Sequence, residues 1–340
     1  MSDLHLFLDC FSRNDSSRSL ELLEWQYFQP PSGKLFVEFA LTPMPEQRLA
    51  AIYATFPVTM RVMGESVLGV QSLNTLTDQD FRGKGLFLKL AKTLYERCAN
   101  DGVKLIYGFP NGNSAHGFFH RLEWRSLDPM PLMLRPLRST YLLKKILRND
   151  MIAKIFDFPL TLGRSPKLKK NQSIRTITAF GSEIDEIWQT FSRNINFTIE
   201  RNTSYLQWRL GRPEENYESF AVFENEHIIG FAIIGVSNLE SGNLVGKLME
   251  IVFDPLDTKT GAALMTEAIR RLTTRGCGAI WAWNFKHSPN HAIFRKAGFI
   301  SISMKHNPSE LHAGARPFTE MPTIGNRNEW YVSLLDSDTH

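Results

Sequence analysis

Cysteine is nearly absent from this chain. Three among 340 residues, Cys10, Cys98 and Cys277, stand far apart. That spacing excludes a disulfide framework or a metal knuckle and suits a reducing compartment. Also missing is any uncharged apolar run of about 18 residues, so no membrane span is expected. The opening MSDLHLFLDCFSRND has no basic start and carries acids through its short apolar part, which argues against a secretory signal. Neither of two common phosphate-loop patterns, GxxxxGKS/T and GxGxxG, occurs. These absences point to a cytoplasmic globular protein without a metal. Apolar content of 43% with 22% charged residues is ordinary for that class. A length of 340 residues is comfortable for two domains.

The formal net charge of +4 is unevenly spread. Residues 135–175 hold eleven Lys/Arg against two Asp, a local +9, which leaves −5 for the rest of the chain. Basic character therefore belongs to one segment. Within it, Leu142, Leu143, Ile146, Leu147, Met151, Ile152, Ile155 and Phe156 form an apolar stripe opposite Lys144, Lys145, Arg148 and Lys154. This reads as an amphipathic connector helix ended by Pro159, with GRSPKLKKNQ as an exposed linker. Packing of the stripe on the two flanking blocks is favoured over contact with a membrane surface. Nucleic-acid binding is not expected, because no reading motif is present and most of the chain is net acidic.

The stretch DQDFRGKGLFLKL, residues 78–90, sets two glycines and two cations ahead of an apolar-periodic run. Leu86, Phe87, Leu90, Ala91, Leu94 and Cys98 recur at helical spacing, and the helix should stop near Gly102. SVLGVQSLNTLT before it and VKLIYGF after it read as strands. A helix N-terminus leaves unpaired N–H groups and partial positive charge, so anions sit there. Glycine lets the backbone approach an anion closely, and Arg82 and Lys84 add formal charge. Alone, such a loop is as readily a tight turn with exposed cations; its strand–loop–helix–strand setting favours a phosphate site.

The same signals return later in the chain. ESFAVFENEHIIGFAIIGV reads as a hairpin turning near Glu224–Glu226. LVGKLMEIVFDP is a strand, TKTGAALMTEAIRRLTTRG a loop and helix, AIWAWNF a strand, and NHAIFRKAGF a helix. Trp208 stands in YLQWRLGRPEENY as Trp25 stands in LEWQYFQPPSG. Two blocks in one order imply a tandem duplication.

DFRGKGLFLKLAKTLYERC resembles the pyrophosphate loop and following helix of the GNAT superfamily of N-acetyltransferases. The family pattern Q/R-x-x-G-x-G/A maps onto Arg82, Gly85 and Phe87, the last departing from the usual small residue. NGNSAHGFFHRLEW is similar to the family's later loop and helix, with Phe119 at the usual tyrosine position. The second block maps more weakly through Thr258, Gly261 and Ala263. The layout as a whole is similar to tandem GNAT-like proteins associated with bacterial surface-polysaccharide synthesis.

The resemblance implies an α/β (mixed α+β) fold of two tandem GNAT-like domains, each a mixed, mostly antiparallel sheet flanked by helices. The expected division is 1–134 for an acetyl-CoA-binding domain, 135–175 for the connector and 176–340 for a degenerate second copy. Acetyl-CoA is the implied donor. Its pyrophosphate would rest on Arg82, Gly83, Lys84, Gly85, Leu86 and Phe87, and its pantetheine arm on the strand near Leu76 and Thr77. Asn111 and Asn113 are candidates to bond pantetheine or acceptor, although Asn-Gly-Asn is also plain turn chemistry. Phe119 completes the implied cofactor set.

An amine must lose a proton to attack, and no base announces itself. Asn74 and Thr75 lie on the right strand without the basicity. Tyr107 is a candidate acid or water-positioner, and a half-buried strand tyrosine is an equal reading. His116 has a suitable ordinary pKa, but it and His120 read more simply as surface or helix-packing residues. Glu250 stands where some members carry a catalytic carboxylate, with a strand-edge salt bridge slightly ahead. His287 and Asn290 read as helix-capping residues. The expectation is acetyl transfer from acetyl-CoA to a small primary amine, on an amino sugar or nucleotide-linked sugar. The alternatives are a non-catalytic acyl-CoA-binding scaffold and a protein or peptide N-acetyltransferase. The oligomeric state is not readable.

Overall fold

The structure is a computed structural model, and it describes residues 2–141, 158–160, 166–239, 243–303 and 310–337. Most of the connector, 142–157 and 161–165, lies outside the described residues, and with it the expected amphipathic helix.

Helices α1 (Ser2–Arg13) and α2 (Leu20–Phe28) open the chain. Ser19 caps α2, its side chain accepting from Leu22 N–H. Strands β1 (Phe36–Leu41), β2 (Leu49–Val62) and β3 (Glu65–Thr77) form an antiparallel meander. Helix α3 (Leu86–Asn100) crosses back to β4 (Leu105–Gly108), which pairs parallel to β3. The face of α3 expected to be apolar is the buried one: Leu90, Ala91, Leu94, Tyr95 and Cys98 pack on the sheet. Gly102, at φ +83°, turns the chain out of it.

The second half repeats this plan. Helices α5 (Glu183–Phe191) and α6 (Thr203–Leu210) precede β9 (Glu218–Glu224), β10 (His227–Asn238) and β11 (Leu244–Phe253). Asn225 and Glu226 both take positive φ at the β9–β10 turn, as a two-residue hairpin whose twist matches its strands requires. Helix α7 (Thr258–Thr274) then leads to β12 (Ala279–Trp283), parallel to β11, and to the short α8 (His291–Lys296).

Each half therefore has a GNAT-like αβ layout, and the described residues form two seven-stranded mixed sheets. Each sheet also borrows a strand. β6 (Leu132–Pro136) follows β5 (Arg125–Ser126) of the first sheet, yet it pairs between β12 and the short β13 (Ile300–Ser301) of the second. In return β14 (Gly314–Pro317) pairs between β4 and β5 of the first. β6 straddles the boundary expected at residue 134. The short β8 (Phe197–Ile199) adds to β2, while β7 (Gln172–Ile177) edges the second sheet. The largest core is shared, with Phe56 and Val58 of β2 in one cluster with Phe231 and Ile233 of β10.

Candidate functional site

β3 and β4 part company at a defined point. Their last parallel pair is Ser72 with Gly108. On the other side of β3, Tyr53 pairs with Thr75 and Thr55 with Ser72, so Leu73 and Asn74 together oppose Ala54 as a β-bulge. β3 runs on to Thr77, paired to β2 alone. A cleft of 270 Å³ opens there, lined by Ser72 to Leu76, by Phe109 to Asn111 after β4, and by Phe11 and Arg18 of the α1–α2 region. Asn74 is held from below, its Nδ2 donating to Tyr27 Oη (2.8 Å) and Gln26 Oε1 (3.2 Å). Ser72 Oγ begins a buried chain to Tyr53 (3.1 Å), which contacts Tyr95 (2.8 Å), itself accepting from Trp124 Nε1 (2.9 Å).

The glycine loop sits beyond the open end of β3. Gly83 and Gly85 hold φ values of +76° and +73°, where an L side chain is strained. No atom lies within 4 Å of where a Cβ would stand on either. Gly85 is the N-cap of α3, and among the described residues no side chain bonds its first amides. Unspent N–H groups and a helix dipole are together suited to an anion. Arg82 reaches back to Thr77 O and Asn14 Oδ1, both at 3.4 Å, and Lys84 Nζ lies 4.6 Å from the Phe81 ring centre. Below the loop, Arg13 Nε donates to buried Asp78 (3.0 Å). Burial opposes the Asp78 charge, but the Asp80 N–H and Arg13 outweigh it and hold its carboxyl below the usual 3.8.

Phe87, the departure from the family pattern, has room because of a residue 30 positions on. Its ring packs edge-on to Phe118 (5.3 Å) and Tyr53 (5.9 Å), and a Cβ on Gly117 would meet it at 2.7 Å. Gly117 begins a π-helical turn, Gly117–Arg121, that follows α4 (Gly112–His116).

The other candidates scatter. Leu76 and Thr77 lie on the end of β3 that pairs with β2 alone, and Leu76 lines the cleft. Asn111 lines it too, although its Oδ1 is engaged as the cap of α4, accepting from Ser114 N (3.1 Å). Asn113 is exposed. Phe119 packs on β14, where a Cβ on Gly314 would meet it at 2.6 Å. His116 is exposed and stacks near His120 at 4.8 Å, outside the cleft lining. Tyr107 is buried; its hydroxyl donates to Gln71 Oε1 (2.7 Å), and Gln71 Nε2 donates to Asp336 O (2.9 Å).

Glu250 stands in a buried ion pair, away from both the sheet edge and the cleft. One carboxylate oxygen accepts from Arg201 Nε (2.8 Å) and Ser333 Oγ (2.8 Å), the other from Tyr331 Oη (2.5 Å) and Ile251 N (2.9 Å). Arg201 also donates to Asp336 (2.8 Å). Asn290 stands at the N-cap of α8 without a capping bond; its Nδ2 reaches Ile251 O (3.0 Å) instead.

The second half builds the same opening but fills its helix terminus. β11 pairs with β12 only from Val245 to Lys247, and Met249 is the extra residue of a bulge against β10. At the start of α7 the Asp257 carboxylate occupies the helix terminus, accepting from Thr260 N (3.1 Å) and Oγ1 (2.7 Å). Burial opposes its charge, yet these bonds hold its pKa below 3.8. Gly261 serves packing, because a Cβ there would meet the Phe253 ring at 2.4 Å.

Ser72 and Arg18 were not expected at the first cleft. Arg18 carries no signal beyond the start of a helix. Ser72 would have been found by placing the bulge, which period-2 alternation does not reveal.

Residues 4–126 match the family model described as the acetyltransferase (GNAT) domain. No curated protein matches the chain. A GCN5-related N-acetyltransferase from Anabaena variabilis superposes with a TM-score of 0.57 at 10% identity, covering 81% of this chain and 61% of that one. The chain thus spans less than two thirds of that protein's length. Saccharomyces cerevisiae N-myristoyltransferase with bound myristoyl-CoA gives 0.56 at 15% identity, covering 88% and 70%. An Enterococcus faecalis protein described as a probable N-acyltransferase gives 0.59 at 10% identity, covering 93% and 69%. At these identities the likenesses establish the fold.

Proposed function

We propose that the chain is an acyl-CoA-dependent N-acyltransferase whose donor site is the first cleft and its glycine loop. The observation that carries this is the contrast between the two helix termini. That of α3 is uncapped behind Gly85, while that of α7 is filled by Asp257. Only the first can receive a pyrophosphate without expelling a carboxylate. The match of residues 4–126 to the acetyltransferase domain model falls on the same half.

In this reading acetyl-CoA lays its pyrophosphate on the amides from Gly83 to Phe87, beside Arg82 and Lys84. Its pantetheine arm runs along Leu73–Thr77, the part of β3 that lacks a partner on the β4 side. A main-chain N–H of that segment polarises the thioester carbonyl. The acceptor is a primary amine, on an amino sugar or nucleotide-linked sugar. Its lone pair attacks the carbonyl carbon, the C–N bond forms, the C–S bond breaks, and the amine proton leaves as CoA departs as the thiol. Transfer is direct. The three cysteines are buried, and burial pushes the Cys98 thiol up to about 12, so none offers a thiolate at neutral pH.

A second reading, acyl-CoA binding without transfer, is favoured by one feature. Among the described residues, the cleft lining holds no carboxylate and no imidazole. Calorimetric titration of acetyl-CoA into the wild type and Arg82→Glu, followed by CoA-thiol release with primary amines, tests both. Binding that collapses in the variant, with amine-dependent thiol release, supports the transferase. Binding without release for any amine supports the second reading. No binding removes both.

A further inference from the structure

The first cleft is polar at its mouth and aromatic at its inner end. Arg18 and Asn111 are exposed and Ser16 and Ser114 half-buried along its lining, and they form the mouth. Inward, the cleft ends where Ser72 pairs with Gly108. Both residues point to the α3 side of the sheet, and the edge of the Trp124 ring meets them there. A Cβ on Gly108 would stand 3.1 Å from Ser72 O, 3.2 Å from Ser72 Cβ and 3.4 Å from Trp124 Cη2. Phe118 packs edge-on against the same indole, with centroids 4.6 Å apart. The indole is also tied in place, because its Nε1 donates to Tyr95 Oη (2.9 Å), which contacts Tyr53 Oη (2.8 Å). On the opposite side of the sheet, Phe109 and Leu311 line the cleft and belong to the core shared by the two halves. Phe109, Leu311, Phe118 and Trp124 are all buried. The cleft volume of 270 Å³ falls below the range of about 300–1,000 Å³ usual for a small-molecule pocket.

We propose that Trp124 sets the length of the acyl chain this cleft accepts, admitting acetyl and its short homologues and excluding long chains. The inference rests on the donor site proposed above. With the pyrophosphate at the glycine loop, past Thr77, the pantetheine arm runs back along β3 from Thr77 toward Ser72. The thioester and its acyl group therefore come last, at the end where the ladder closes. A methyl group there gains apolar contact with the rings. Each further methylene presses on an indole held by both packing and a hydrogen bond, and a close-packed interior resists such additions. A chain that turns back toward the mouth lies beside Arg18 and Asn111, where it gains no burial. Trp124 acts here by shape alone and takes no part in the transfer chemistry.

The test is calorimetric titration of the intact chain with CoA, acetyl-CoA and octanoyl-CoA, repeated in Trp124→Leu and Trp124→Phe. The phenylalanine variant removes the Cη2 edge but keeps a ring against Phe118, so it answers the question even where Trp124→Leu fails to fold. Acetyl-CoA binding reports that the site is intact in each variant. In the wild type, octanoyl-CoA should bind at least about tenfold more weakly than acetyl-CoA. That gap should shrink to within about threefold in Trp124→Leu and narrow measurably in Trp124→Phe, with acetyl-CoA affinity little changed. Octanoyl-CoA as tight as acetyl-CoA in the wild type would overturn the chain limit while leaving the donor site standing. An unchanged gap in variants that still bind acetyl-CoA would overturn the role of Trp124. No binding of any of the three probes to the wild type would overturn the donor site itself, and the chain limit with it.

Discussion

Trp25 and Trp208 lie ring on ring, with centroids 4.6 Å apart and planes 8° from parallel. Each indole N–H donates to the other residue's main-chain carbonyl, at 2.9 and 3.2 Å. They occupy equivalent places on α2 and α6, so the contact is symmetric and joins the two halves through one buried pair. Both are nearly inaccessible, at 3% and 7%. Either Trp→Phe change removes one hydrogen bond between the halves and should cost about 0.5–1.5 kcal/mol; the Trp208 carbonyl keeps the Gly211 N–H (3.1 Å). Urea denaturation of Trp25→Ala, Trp208→Ala and the double variant should show a coupling of about 0.5–1.5 kcal/mol, because the ring pair is lost only once. Strict additivity would mean that the contact does not hold the halves together.

The contrast between the helix termini has its own measurement. Gly85→Val forces a branched side chain into φ +73°, costing about 1–2 kcal/mol of stability, and should abolish acetyl-CoA binding by moving the first amides of α3. Asp257→Ala should cost about 1 kcal/mol as a lost cap, with acetyl-CoA binding still near one equivalent per chain. Retained binding in Gly85→Val, or two equivalents in the wild type, would contradict the assignment.

Glu250 can be judged by separating stability from turnover. Arg201→Met strands Glu250 and Asp336 as buried carboxylates and should cost about 3–5 kcal/mol. Glu250→Gln should also destabilise, because it removes one charge of the pair with Arg201 (2.8 Å). Activity per folded molecule, measured after correcting for the folded fraction, should be unchanged in Glu250→Gln. A loss of kcat with unchanged stability would restore Glu250 to the chemistry.

How far the sequence carries depends on the range of the interaction involved. The α3 periodicity, its stop at Gly102, and the hairpin turn at Asn225 and Glu226 are local effects of side-chain spacing and backbone preference, so they can be read directly. The exchange of β6 and β14 cannot: Ala282 pairs with Met133, and Ala315 with Tyr107, across separations that leave no local pattern. Phe87 shows the same limit, since the space for its ring depends on Gly117. The glycine loop could be read as a candidate anion site because its glycines, charges and helix start all lie within a few residues. Glu250 resembled a catalytic carboxylate in sequence because its partner Arg201 and the neighbouring Tyr331, Ser333 and Asp336 come from distant segments.

One pH effect should report on the exchanged strand. His312, just before β14, lies with Nδ1 2.6 Å from Asp128 Oδ2, and Asp128 Oδ1 accepts from Ala313 N (3.0 Å). Burial works against charge on the imidazole, but the hydrogen bond and charge of Asp128, with help from Glu310, outweigh it and raise its pKa above 6.5. The folded state therefore holds the proton more tightly than the unfolded chain. This contribution is fully present below about pH 6.5 and is lost as pH rises through the raised folded value. Thermal melts of the wild type across that window should show falling stability, and His312→Gln should flatten that part of the profile. An unchanged slope in the variant would assign the effect to another group.

Gly117 and Phe87 offer a test that links packing to the proposed donor site. Gly117 sits at φ −63°, an ordinary helical value, so backbone preference alone would favour alanine there by about 1 kcal/mol. The Phe87 ring decides otherwise, because the new Cβ would lie 2.7 Å from it. Gly117→Ala should therefore destabilise by about 1–3 kcal/mol. Phe87 is the second residue of α3, just beyond Gly85, so displacing its ring should also tilt the first amides and weaken acetyl-CoA binding. In a Phe87→Ala background the added methyl fills vacated space, and the same Gly117→Ala change should be neutral or stabilising. That reversal of sign is a non-additivity only direct contact produces. If Gly117→Ala costs the same with and without the ring, the steric account of the Phe87 departure fails.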